Sequence, residues 1–214
     1  MTSMSAAATS ISREELANSL THGIGLIGAI SITPVLIVHA VAWGGAADIV
    51  GASIFATSLI LLYLASTVYH ATRKASMKLT LRRMDHAAIY VLIAGTYTPF
   101  TLGVLRGGWG WTLFGLVWGV AAIGIATKII AGIRRPRLST AMYIAMGWLA
   151  LVAIQPLVSR VPLAGVLWLV AGGLFYSGGV VFYLRRIRYS HAIWHLFVLA
   201  GSICHVIAVL EYAR

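Results

Sequence analysis

Seven stretches of the chain are continuously apolar, and each is about the length of a membrane crossing. They cover approximately 20–43, 49–70, 86–105, 109–132, 139–158, 162–184 and 190–211. A span of hydrocarbon takes about 20 apolar residues as an α-helix. Only helices satisfy every backbone group internally at such lengths in lipid. The gaps between the runs are short and hold Gly, Pro or charge: Gly44-Gly45, Arg106-Gly107-Gly108, and Arg134-Arg135-Pro136-Arg137. The pattern predicts an all-α polytopic membrane protein with seven transmembrane helices. Residues 1–19 are read as a short cytoplasmic N-terminal segment and 20–214 as a single seven-helix domain. No internal repeat and no loop of domain size is apparent.

The charge distribution orients the bundle. If the N-terminus lies on one side, that side collects thirteen of the sixteen Lys and Arg residues, and only Arg106, Arg160 and Arg214 fall on the other. Basic loops stay in the cytoplasm. The N-terminus is therefore expected inside and, after seven spans, the C-terminus outside. The net charge of +11 acquires its meaning from this asymmetry rather than from nucleic acid, which is not expected as a partner.

Composition adds exclusions. Of 214 residues, 60% are hydrophobic and 10% charged, where a soluble domain would carry about a quarter charged. An ordinary soluble domain and a disordered chain are both excluded. The single cysteine, Cys204, permits no intrachain disulfide. The opening MTSMSAAATSISREEL lacks the charged-then-apolar build of a signal peptide, so it is expected to be retained and partly disordered until about Ser12. Trp43, Trp109, Trp111 and Trp168 near run ends read as interface anchors. Pro34, Pro99 and Pro156 should kink or open their helices.

Ionisable groups inside spans are the functional pointers. His70 ends the second run, Asp85 and His86 begin the third, His191 and His195 begin the seventh, and His22 opens the first. Alternating topology brings all of them to the cytoplasmic level. His191 and His195, at i and i+4, share a helix face roughly 6 Å apart. Two such rings can chelate one metal, and His70 is the natural third ligand, giving a three-histidine site with an open position. Ser66 precedes His70 by one turn. Taken alone, an i,i+4 histidine pair is more often hydrogen-bonded or interfacial, His70 can be a helix-end cap, and Asp85 after Arg82-Arg83 can be a surface ion pair or a helix N-terminal charge. His86 projects about 100° from Asp85 and is not expected to share its role. His205 lies roughly 21 Å along the helix from His191, too far to join the site. His205 reads as a core or outer-side polar residue, and His39 as an outer-half one.

These motifs resemble the hemolysin III family, of the progestin and adiponectin receptor group. That group falls in a wider set of seven-helix membrane hydrolases that includes alkaline ceramidases. The matching stretches are Glu15-Leu-Ala-Asn18-Ser-Leu-Thr21-His22-Gly23, Ser66-Thr-Val-Tyr-His70, Asp85 with Gly95-Thr-Tyr-Thr-Pro99, and Ser190-His191-Ala-Ile-Trp-His195. They cover nearly the whole chain in the family's order. The resemblance implies Zn²⁺ held by His70, His191 and His195, a water in the fourth position held or activated by Asp85, and Ser66 as a polar partner. It implies a bacterial inner-membrane protein and a metal-dependent hydrolase. The expected substrate is a lipid amide or ester, ceramide-like, cleaved at the cytoplasmic side in membrane lipid homeostasis. The alternative is a non-catalytic sensor of lipid state with a structural zinc. The long N-terminal domain of the family's animal receptors is not expected here, nor is a protein hormone ligand. A transporter is disfavoured, because the ionisable groups share one level instead of forming a relay. Membrane lipids are the expected partners, and the oligomeric state is left open.

Overall fold

The computed structural model describes residues 12–130, 132, 136–185 and 187–214. The expectation of disorder up to Ser12 falls outside these residues. Eight α-helices and one 3₁₀ stretch make up the regular structure of the described residues: α1 (Arg13–Trp43), α2 (Ala46–Ala71), α3 (Ala75–Leu102), α4 (Gly108–Ile130), α5 (Pro136–Gly147), the 3₁₀ stretch Leu149–Ala153, α6 (Ile154–Arg160), α7 (Leu163–Leu184) and α8 (Ser190–Tyr212). No strand occurs among them.

Six helical segments are long and apolar enough to cross a membrane, with Pro136–Arg160 counted as one. The chain is thus a multi-pass helical membrane protein. The remaining candidate, α3, is long enough but too polar to qualify by composition. Its first half carries Lys78, Arg82, Arg83 and Asp85, and its second half Thr96, Thr98 and Thr101. It is nevertheless the most deeply embedded helix. Tyr90 and Ala94 have no exposed surface, and α3 packs extensively against both α2 and α4. A helix surrounded by protein need not be apolar all round.

Helices α1 to α4 pack in chain order, α7 packs on α8, and α8 closes back on α1. Tight approach depends on glycine in the α3–α4 seam. A Cβ on Gly124 would sit 2.3 Å from the Tyr90 ring. Helix α1 starts seven residues ahead of its apolar run. Ser12 caps it, its Oγ accepting from the Glu15 N–H at 3.1 Å, and Glu14 and Glu15 fill the first turn. The extra turns carry three residues of the site described below.

The Pro136–Arg160 segment departs from the continuous helix its hydropathy suggests. It breaks after Gly147, passes through the 3₁₀ stretch and resumes as α6. Tyr97 of α3 stabilises the break. Its hydroxyl donates to the Gly147 carbonyl at 2.7 Å and accepts from the Ala150 N–H at 2.9 Å. The backbone groups freed by the break thus find a partner inside the bundle. Pro156 sits in the first turn of α6, where no N–H is needed. Helices α1 and α3 run on through Pro34 and Pro99.

Candidate metal centre

Two helices deliver the histidines. His70 lies on the last turn of α2, and His191 and His195 lie on the first two turns of α8. Their ring centroids are 5.1 Å (His70–His191), 5.2 Å (His70–His195) and 4.6 Å (His191–His195) apart. One ligand atom from each can be chosen so that all three lie within 4.8 Å of one another. The Nε2 atoms of all three rings are buried and have no hydrogen-bond partner. Buried polar nitrogens almost always find partners. Three unpartnered ones on rings this close make a donor set that fits a metal ion.

The opposite edges of two rings are held. His70 Nδ1 lies 2.5 Å from Glu15 Oε2. A carboxylate accepts, so the Nδ1 proton donates to it and the Nε2 lone pair is free. His195 Nδ1 lies 3.1 Å from the Asn18 carbonyl and 3.0 Å from Thr21 Oγ1. A carbonyl also only accepts, so the same tautomer is fixed. Outer partners of this kind orient metal-binding imidazoles and raise their basicity.

Glu15, Asn18 and Thr21 all come from α1, and sequence reasoning assigned none of them a role. Glu15 also accepts from Lys78 Nζ at 3.2 Å. Glu14 accepts from the Tyr189 N–H at 3.1 Å. Tyr189 has a left-handed φ of 61° immediately before α8, a conformation unfavourable for a bulky residue. The Glu14 contact helps hold the helix that carries two of the histidines.

The remaining candidates surround this cluster. Ser66 is 1% exposed, one turn before His70, and its Oγ has no partner. Asp85 is buried on α3 within electrostatic range of His22, His70 and His191. It is not one of the three mutually close ligands. Against expectation, His86 turns back toward it, with Nδ1 3.3 Å from Asp85 Oδ2. The hundred-degree offset of adjacent positions is bridged by the two side chains. His22 stacks on His195 at 3.5 Å between centroids and 13° between planes, with both nitrogens buried and unpartnered. His205 lies elsewhere on α8, its Nε2 3.2 Å from the Leu169 carbonyl.

His22 and Asp85 also line a mainly apolar cavity of about 120 Å³ that extends between α3, α5, α7 and α8. A second cavity of about 100 Å³ shares Thr96, Tyr97, Gly147, Trp148, Gly173 and His205 with the first. An apolar space whose polar end adjoins the histidine cluster suits an amphipathic molecule.

The chain is similar to known proteins along nearly its whole length. Over 201 residues the chain is 47% identical to the Hemolysin-3 homolog of Bacillus subtilis (strain 168), covering 94% of each chain. It is 45% identical over 205 residues to Hemolysin-3 of Bacillus cereus, covering 95% of this chain and 94% of the relative. The monocyte to macrophage differentiation factor of Homo sapiens is 28% identical over 215 residues, covering 93% of this chain and 84% of the relative. The family model described as haemolysin-III related matches residues 11–206, and the chain belongs to that family.

Proposed function

We propose that the chain is a zinc-dependent membrane hydrolase that cleaves an amide or ester bond of a lipid at the cytoplasmic face of the bacterial inner membrane. The proposal takes α3 as a seventh crossing, with the N-terminus inside and the C-terminus outside. The observation that carries it is the set of three buried, unpartnered Nε2 atoms on His70, His191 and His195, with two of the rings locked from behind.

A bound Zn²⁺ would supply Lewis acidity, polarising a carbonyl and bringing water ionisation toward neutral pH. The chain's own groups would do the rest. Glu15 and the Asn18 carbonyl hold their imidazoles in one tautomer. Asp85 accepts the proton of the attacking water and returns it to the leaving amine or alcohol. Ser66 Oγ–H donates to the carbonyl oxygen as negative charge develops there. The two cavities take the hydrocarbon chain, exclude water from it and place its polar end beside Asp85.

Metal analysis of detergent-purified protein, followed by turnover on a panel of lipid amides and esters, tests this reading. About one zinc per chain and hydrolysis that Asp85→Asn abolishes at unchanged zinc content are expected. Turnover retained in Asp85→Asn removes that residue as the base. A zinc-loaded protein that cleaves no member of the panel points instead to a lipid-state sensor with a structural metal.

A further inference from the structure

Away from the histidines, the same end of the bundle holds a cation that the hydrolase reading leaves unused. Lys128, near the end of α4, is 2% exposed, and its Nζ lies 2.5 Å from Ser139 Oγ at the start of α5. A buried ammonium is costly unless an anion answers it. The five acids of the sequence are engaged or distant. Glu15 pairs with His70 and Lys78, Glu14 takes the Tyr189 N–H, and Asp85 lies beside His86. Asp48 caps α2 through the Gly45 N–H, and Glu211 ends α8; both lie at the other end of the bundle.

Two more cations approach the same seam. Gly124 of α4 lies against Tyr90 of α3, and Gly132 lies beside the Arg83 guanidinium. A Cβ on Gly132 would sit 3.5 Å and 3.6 Å from Arg83 Nη2 and Nε. Lys128 falls one turn from each glycine, on the face turned toward α3. Arg83 Nε is buried and has no hydrogen-bond partner. Arg82 is near enough to repel Lys128. Among the described residues no ion pair neutralises Arg82, Arg83 or Lys128. A neutral Lys128 would relieve its own burial but leave the Arg83 N–H unanswered.

We infer that Lys128, Arg83 and Ser139 form a phosphate-ester site at the α3–α4–α5 end, carried in the membrane by the headgroup of an anionic lipid. Lys128 Nζ and Arg83 Nε–H donate to phosphate oxygens, while Ser139 Oγ goes on accepting from Lys128 and positions the ammonium. Arg82, which is exposed, adds attraction at the rim. Helix ends of this charge lie at the depth where lipid phosphates are the abundant anions. The site stands apart from the histidine cluster and does not depend on catalysis.

Native mass spectrometry of the full-length protein in detergent tests it, with phosphatidylglycerol compared with diacylglycerol of the same tails. The wild type is expected to retain one phosphatidylglycerol and to prefer it over diacylglycerol. Lys128→Met weakens that binding about tenfold, the size of one lost charge-assisted contact. Arg83→Gln weakens it in the same direction, and Arg106→Gln at the opposite end leaves it unchanged. If Lys128→Met cannot be purified, Arg83→Gln carries the comparison. Displacement of the lipid by millimolar inorganic phosphate identifies the phosphate alone as the recognised group. Resistance to displacement with Lys128 still required assigns the site to the lipid. Equal retention of the two lipids, or wild-type retention by both variants, overturns the proposal.

Discussion

The two sides of this bundle are built on different terms. Helix α2 buries ten residues, among them Phe55, Leu59, Tyr63, Ser66 and His70. Helix α7, of similar length, buries three, and all are glycines. The α1–α2–α3–α8 side is closely packed and holds every candidate ligand with its outer partners. The α5–α6–α7 side is interrupted: α7 packs on α8, but α5 and α6 meet their neighbours sparsely, and this side lines the cavities. Metal-binding geometry needs rings fixed to a fraction of an ångström, which a dense core provides. Admission of a bulky lipid needs the opposite. On the proposed reading the two sides divide the labour, one fixing the chemistry and the other accommodating what is bound.

Removing a ligand from the packed side should break that contrast most completely. His191→Ala and His195→Ala are each expected to lose most of the metal, while His205→Ala, on the same helix but outside the cluster, keeps it. Full occupancy in the His191/His195 double variant would dissolve the site. Next in size, Glu15→Gln keeps a hydrogen-bond partner for His70 but loses the carboxylate. Metal affinity should fall about 10–100-fold, measured by competition with a chelator of known affinity. On the looser side, Tyr97→Phe strips both hydrogen bonds from the break after Gly147. The thermal transition in detergent should drop by the equivalent of about 1–3 kcal/mol, with metal content unchanged. Loss of metal in this variant would show that the two sides are not separable. The smallest effect belongs to Thr21→Val, because the Asn18 carbonyl still holds His195. A loss of about 1 kcal/mol or less, a few-fold in metal affinity, is expected.

What the sequence disclosed follows the same boundary between local and tertiary information. Apolar runs announce helices because lipid makes hydropathy the dominant constraint, and alternation then brings His22, His70, Asp85, His191 and His195 to one level. Their convergence is visible in the stack of His22 on His195 and the packing of His70 against both histidines of α8. Glu15 was harder to read. It sits three residues after Ser12, where a helix-capping acid belongs, and only the fold shows its carboxylate reaching across to α2. Asn18 acts through its backbone carbonyl, which no side-chain pattern encodes. The break in the Pro136–Arg160 segment was hidden for a similar reason. Its hydropathy is continuous through residues 139–158, and the tyrosine that stabilises the interruption lies on another helix. Helix α3 shows the converse, since its polar residues weaken the membrane signal in the helix most enclosed by its neighbours.

The distribution of the centre along the chain also has a consequence for biosynthesis. Its tautomer-fixing groups are on the first helix, one ligand is on the second, and the other two are on the last. During membrane insertion, the nascent chain exposes His70 and Glu15 long before α8 leaves the ribosome. A chain interrupted at any earlier point offers one histidine where three are needed. If the proposed metal binds there, its acquisition follows completion of the polypeptide, and its retention becomes a molecular record that the first and last segments have met.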